Sequence, residues 1–220
     1  MAVVNYKILI VGLPYKTDVG SLGYSSIVLL NDGKDSILFD VGHYAVRAEI
    51  IRIMKKYKIT KVFLSHLHYD HCLNADLFQQ AKIKLYLNRK EWQYLEKIRS
   101  NDIYTFCLFK KMIRRKSLIL FDGAFNITKN IRAIETIGHT AGHSSLTFDK
   151  GRLRYIVAGD AIKTPADLAE IEPDVPPYNL KMFKKTRRYI INGYDIIIPG
   201  HANVIKQGSQ SHNSIKLKRF

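Results

Sequence analysis

Apolar positions along this chain follow two rhythms. Short apolar or alternating runs at residues 6–12, 25–31 and 36–39 predict strands, and an Asn31-Asp32-Gly33 turn signal joins the last two. Over 45–57 the rhythm changes: Val46, Ile50, Ile53, Met54 and Tyr57 recur at helical spacing and predict an amphipathic helix. A buried strand is predicted at 61–65, then a helix at 73–80, a strand at 82–87 and a helix at 89–99. The basic, aromatic segment 102–116 reads as helical. The second half repeats the rhythm: a strand at 131–137, a hairpin of 145–149 and 153–157 around Asp149-Lys150-Gly151, a helix at 180–191 and a strand at 194–198. Nothing marks a linker or a low-complexity tract, so residues 1–220 are expected to form one domain. Hairpins early in each half, mixed with helices, predict an α/β layered sandwich rather than a purely parallel sheet.

Composition narrows the class. An apolar share of 46% argues against disorder, and no apolar run approaches the length needed to span a bilayer, so no membrane partner is expected. The opening residues carry no basic region or cleavage site and read as a first strand. Two cysteines, Cys72 and Cys107, give no disulfide framework, so a cytoplasmic location is the default. The net charge of +16 admits a nucleic-acid partner, although it is spread along the chain as a solvated surface would be. The partner expected is a small-molecule substrate, and a homo-oligomer is compatible with the sequence.

The chemistry gathers where predicted strands end. Three of the eight histidines crowd into the stretch 66–71, as His66, His68 and His71 with Asp70 between them. Further on, His143 closes "GHTAGH", Asp160 follows Ala158-Gly159 and His201 follows Pro199-Gly200. Strand ends feeding loops are where a rigid scaffold presents side chains to a site, and imidazoles with carboxylates suit zinc, iron or manganese. A His-x-His pair on an extended segment puts both imidazoles on one side of the chain. Asp70-His71 begin a helix and turn the opposite way, toward a second ion.

In this order, "HLHYDH … GHTAGHS … AGDA … IPGH" resembles the signature of the metallo-β-lactamase superfamily, and "LFDVG" at 38–42 is similar to its early Asp-x-Gly element. The resemblance implies a four-layer αβ/βα metallo-β-lactamase sandwich with the site at one edge between two sheets. It implies that His66, His68 and His143 hold one metal ion, that Asp70, His71 and His201 hold a second, and that Asp160 bridges them. Asp40 would support the ligands from behind, and His139 would be a structural neighbour. The cofactors implied are two divalent ions, zinc foremost, with iron or manganese as alternatives. The mechanism implied is attack by a hydroxide held between the two metals, whose bound-water pKa falls from 15.7 to about 7. Asp70 would orient that hydroxide or receive its proton.

Departures from the family's branches shape the expected reaction. Asp160 stands where the commonest β-lactamases carry cysteine, and His68 departs from the His-x-Glu-x-Asp pattern of the diiron flavoproteins. Lys163 occupies the position of the tyrosine of quorum-signal lactonases. Residues 202–220 are fewer than the helical glutathione-binding domain of glyoxalase II needs. The chain resembles compact glyoxalase II-like members and a branch similar to metallo-β-lactamase domain-containing protein 1, which shares a "DHxxNxxLF" run. The expected function is a metal-dependent hydrolase of a small ester, thioester or lactone. The alternative is a phosphodiesterase or ribonuclease acting on RNA or nucleotides, which the basic charge suits.

Overall fold

The computed structural model describes residues 3–17, 20–21, 23–95, 109–169, 173 and 176–207. Its first half opens with β1 (Asn5–Ile10), a small ribbon of β2 (Lys16–Thr17) and β3 (Gly20–Ser21), and the hairpin β4 (Ile27–Asn31) and β5 (Ser36–Phe39). Then come α1 (Arg47–Lys56), β6 (Lys61–Phe63), α2 (Tyr69–Cys72), α3 (Ala75–Gln80), β7 (Lys84–Asn88), α4 (Arg89–Leu95), α5 (Lys110–Met112) and β8 (Leu118–Phe121). The second half holds β9 (Phe125–Asn126), β10 (Arg132–Glu135), the hairpin β11 (Ser144–Lys150) and β12 (Leu153–Gly159), α6 (Leu180–Gly193), β13 (Ile196–Pro199) and β14 (Ile205–Lys206).

Two six-stranded sheets result, in the orders β1-β4-β5-β6-β7-β8 and β14-β13-β12-β11-β10-β9. Strands β5 to β8 run parallel, as do β12 and β13, while the hairpins supply the antiparallel pairs. The period of two along each strand sorts side chains into three cores. Val28, Leu30, Ile37, Phe39 and Phe63 of the first sheet meet Ala133, Leu146, Val157 and Ile198 of the second. Their sequence neighbours Ile27, Leu38 and Val62 turn outward onto Ile50 and Ile53 of α1 and Phe78 of α3. On the far side, Ile156, Ala158 and Ile197 pack under Ile190 of α6. The order helix, sheet, sheet, helix is the expected four-layer sandwich. Each fully buried aliphatic side chain contributes about 1.5–3 kcal/mol, so these layers dominate the stability.

Several boundaries differ from the sequence reading. The predicted strand 61–65 ends at Phe63, because the Ser65 N–H bonds the Asp40 carboxylate rather than a neighbouring strand. The predicted helix 73–80 begins at Ala75 as α3, after the separate short helix α2. Asn74 lies between them, and its side-chain amide donates to the carbonyls of Val41, Gly42 and His43. Of the helix predicted at 89–99, residues 96–99 lie outside the described residues. So do 102–108 of the basic segment, whose remainder is α5 and a 3₁₀ turn, Arg115–Ser117. Strand β8 was not anticipated: its four apolar residues carry no alternation, and its pairing with β7 makes it a strand. Cys72 is a buried core residue, whereas Cys107 falls outside the described segments. Among the described residues, no helix is long and apolar enough to cross a membrane.

Candidate metal centre

Parallel strands point their carboxyl ends the same way, and the site forms where those of both sheets meet. Asp40 follows β5, His66 and His68 follow β6, Asp160 follows β12 and His201 follows β13. His143 immediately precedes β11, which runs antiparallel to β12 and so starts at the same edge. Backbone bonds close the edge, with Ser144 N donating to Ser65 O (3.0 Å) and Ser26 N to Gly200 O (2.7 Å). Gly200 has no alternative there, since a Cβ would land on Asp160 Oδ1.

Donor atoms converge in two groups. His66, His68, His139 and Asp160 offer atoms within 4.8 Å of one another, and so do Asp70, His71 and His201. Asp160 joins them: Oδ1 lies 3.2 Å from both His71 Nε2 and His201 Nε2, while Oδ2 lies 3.3 Å from His139 Nε2 and 3.4 Å from Lys163 Nζ. Asp70 Oδ2 stands 3.4 Å from His201 Nε2 and 3.7 Å from His71 Nε2. Among the described residues, His66 Nε2, His71 Nε2 and Asp160 Oδ1 are buried without a hydrogen bond. Burying unsatisfied polar atoms costs about 1–3 kcal/mol each, so three of them aimed into one cluster fit a bound cation.

Four imidazoles are held from behind by Nδ1, which turns Nε2 inward. His71 Nδ1 donates to Asp40 Oδ2 (2.7 Å), and His66 Nδ1 lies 2.9 Å from Ser65 Oγ, which itself donates to Asp40 Oδ2. His201 Nδ1 donates to the Tyr24 carbonyl (3.1 Å). For His143 the direction follows by elimination. The Ala158 carbonyl can only accept, so Ser145 Oγ donates to it and accepts from Thr136 Oγ1, which therefore accepts from His143 Nδ1 at 2.8 Å. His143 Nε2 is then a lone pair, and it accepts from the Asp160 amide at 3.1 Å.

The second "GHTAGH" histidine thus sits beside Asp160, with its ring 5.1 Å from that of His66. His139, read from the sequence as a structural neighbour, comes further in, its Nε2 3.0 Å from His68 Nδ1. Glu91 was not anticipated either. Buried on α4, it accepts from Leu67 N (3.1 Å), Thr140 Oγ1 (2.8 Å) and Gly142 N (2.7 Å) and so ties the two histidine loops together. A lone glutamate in a helix gives no sequence signal of such a role. Tyr69 stands edge-on to the His43 ring at 5.4 Å.

Charge states follow burial and neighbours. Burial holds the imidazoles of His66 and His139 well below their ordinary pKa, and that of His143 down to about 3, so all three are neutral donors. His71 differs: burial opposes its charge, but the carboxylates of Asp160, Asp70 and Asp40 outweigh it and raise its pKa well above 6.5. Asp160 is held well below the carboxylate range, because His201, Lys163 and His71 outweigh its burial. Lys163 stays charged, since Asp160 and Asp70 outweigh its desolvation.

The family model of the Metallo-beta-lactamase superfamily matches residues 20–201. A probable metallo-hydrolase of Methanocaldococcus jannaschii is 28% identical over 149 residues, which cover 64% of this chain and 59% of that relative's length. A probable metal-dependent hydrolase from Staphylococcus aureus superposes with a TM-score of 0.75 at 15% identity, covering 94% of both chains. An N-acyl homoserine lactone hydrolase, solved with the product N-hexanoyl-L-homoserine at its catalytic metal center, gives a TM-score of 0.69 at 17% identity, over 91% of this chain and 94% of that one. At such identities the two structures show a shared fold.

Proposed function

The chain belongs to the Metallo-beta-lactamase superfamily, and on that premise we propose that it is a dinuclear metal hydrolase that cleaves a small ester, thioester or lactone. The observation that carries this is the set of Nδ1-anchored imidazoles gathered at Asp160, with Nε2 of His71 and of His201 each 3.2 Å from its Oδ1. His66, His68 and His143 would hold one ion and Asp70, His71 and His201 the other, with Asp160 shared between them. His143 is chosen over His139 because its Nδ1 is anchored through Thr136, as those of the other proposed ligands His66, His71 and His201 are anchored by their own partners. Nitrogen with hard oxygen donors favours zinc. A pair of such ions supplies Lewis acidity at the scissile oxygen and acidifies water to a pKa of about 7. Asp70, facing His201 and His71, receives the proton of the attacking water. Asp40, behind His66 and His71, keeps both rings oriented through the reaction.

The second reading is phosphodiester cleavage, which the +16 charge and the position of Lys163 at the centre favour. Metal analysis of the purified protein, followed by turnover of the zinc, manganese and iron forms on a thioester, a lactone and a bis-aryl phosphodiester, separates the two. We expect two ions per chain and carbonyl turnover. Phosphodiester turnover alone, suppressed steeply by salt, would replace the first reading with the second. Asp160→Ala is expected to lose at least one ion and most activity, and full dinuclear loading of that variant would overturn the ligand assignment.

A further inference from the structure

A cavity of about 670 Å³ opens at the edge of the first sheet opposite the metal centre. Lys84 begins β7 and Ser117 immediately precedes β8, both at the amino ends of parallel strands, whereas the metal donors follow carboxyl ends. At about 3.3 Å per residue, the five residues of β7 put roughly 13 Å between the two edges. The cavity rim carries Lys82, Lys84, Arg114 and Lys116, all exposed, and no acidic residue lines it among the described residues. Its two walls are tied together. The Gln79 amide donates to the Met112 carbonyl (3.0 Å) and accepts from Arg114 N (2.6 Å), and Lys84 Nζ donates to the Lys116 carbonyl (3.2 Å). Lys82 stands just past the C-cap of α3 with φ +60°, a left-handed position where glycine is the strain-free residue. A lysine there holds an ammonium at the rim against backbone strain.

Neither the core nor the metal centre uses these cations. Four positive groups around one empty cavity repel one another, and a cleft lined by one sign of charge concentrates counter-ions. A phosphoryl group relieves that repulsion and accepts several charge-assisted hydrogen bonds at once. The volume falls within the range of small-molecule sites, about 300–1,000 Å³, and exceeds what a lone phosphate fills. Ile83 supplies an apolar floor continuous with the core, and Gln80 and Ser117 supply neutral donors and acceptors. We propose that this cavity is a second ligand site, separate from the metal centre, for a nucleoside phosphate. The four cations bind the phosphate, and Ile83, Gln80 and Ser117 receive the nucleoside. Such binding is independent of the reaction at the metal centre.

Calorimetric titration of the metal-loaded protein with adenosine monophosphate, inorganic phosphate and adenosine tests this without turnover. Adenosine monophosphate is expected to bind more tightly than either fragment, and less tightly as salt is raised. Lys84→Gln combined with Lys116→Gln should weaken it at least about tenfold, through lost charge-assisted hydrogen bonds, while metal content and ester turnover match the parent. Lys84→Arg keeps the charge and the bond across the walls, so it should keep most of the affinity. Lys82→Gly should weaken binding yet preserve or raise the melting temperature, because glycine relieves the strain. Asp160→Ala should leave the affinity unchanged. The proposal is overturned if the unmodified protein does not bind adenosine monophosphate, or if the double lysine variant binds it as the parent does. Affinity lost with Asp160→Ala also overturns it, by placing the nucleotide on the metals. A loss in Lys84→Arg as large as in the double variant would mean a collapsed wall rather than a missing contact, and overturns it too. So does an oligouridylate held through the same lysines that adenosine monophosphate does not displace, since the face would then bind RNA. Absence of ester hydrolysis would leave the binding measurements intact, so the two readings fail separately.

Discussion

Replacing Glu91 by Gln changes one heavy atom in a side chain that is 1% exposed, yet it removes one of the two acceptor oxygens that three donors share. Oε1 takes the Leu67 N–H, between His66 and His68, and Oε2 takes the Thr140 hydroxyl and the Gly142 N–H, next to His143. A carboxyl group accepts through both oxygens, even when protonated, whereas an amide accepts only through one. The best Gln placement keeps its oxygen at Oε2 and turns its NH₂ onto the Leu67 N–H, so two donors face each other without water. Losing one buried bond to a charged acceptor costs about 1.5–3 kcal/mol. At roughly 2–4 °C per kcal/mol for a chain of this size, the metal-free protein should melt about 3–12 °C lower. The loops that carry His66, His68 and His143 would lose their shared anchor, so affinity for the first ion should fall about 10–100-fold, as for other groups supporting metal ligands. Calorimetric melting of the metal-free protein and competition with a chelator measure the two effects separately. A melting temperature within about 1 °C of the parent, together with unchanged metal affinity, would refute the argument that Glu91 couples the loops.

Three further outcomes are expected. His143→Ala should lose one ion per chain while His139→Ala keeps both, and Thr136→Val should weaken the first ion by freeing the His143 ring; metal analysis that reverses the two histidines would make His139 the ligand. The raised pKa of His71 means that its imidazolium stabilises the metal-free fold fully below 6.5, a contribution lost as pH rises through the folded value. Because an ion must displace that proton, stabilisation by metal should grow with pH through a midpoint above 6.5, and Asp40→Asn should lower the midpoint; thermal shifts with and without metal across pH decide. Gly200→Ala forces a methyl against Asp160 Oδ1, so about 1–3 kcal/mol of overpacking strain and loss of bound metal are expected, read by melting temperature and metal content.

What the residues alone determined here is the kind of chemistry and the layered plan. Alternation at 25–31 and 36–39 and helical spacing at 45–57 are local signals, and they reappear as β4, β5 and α1 because each buries the face its own period defines. His66, His68, Asp70 and His71 were legible because they are neighbours in sequence and a ligand set needs particular donor types. Only the tertiary structure decided how His143 and His139 divide their positions, since that depends on a chain of hydroxyls, Thr136 and Ser145, ending at a carbonyl of another strand. It also decided that Glu91 joins two loops and that Gln79 ties Arg114 to the end of α3. Those pairings span tens of residues and rest on single hydrogen bonds. No period or motif encodes such a bond, because its partner becomes a neighbour only when the sheets close.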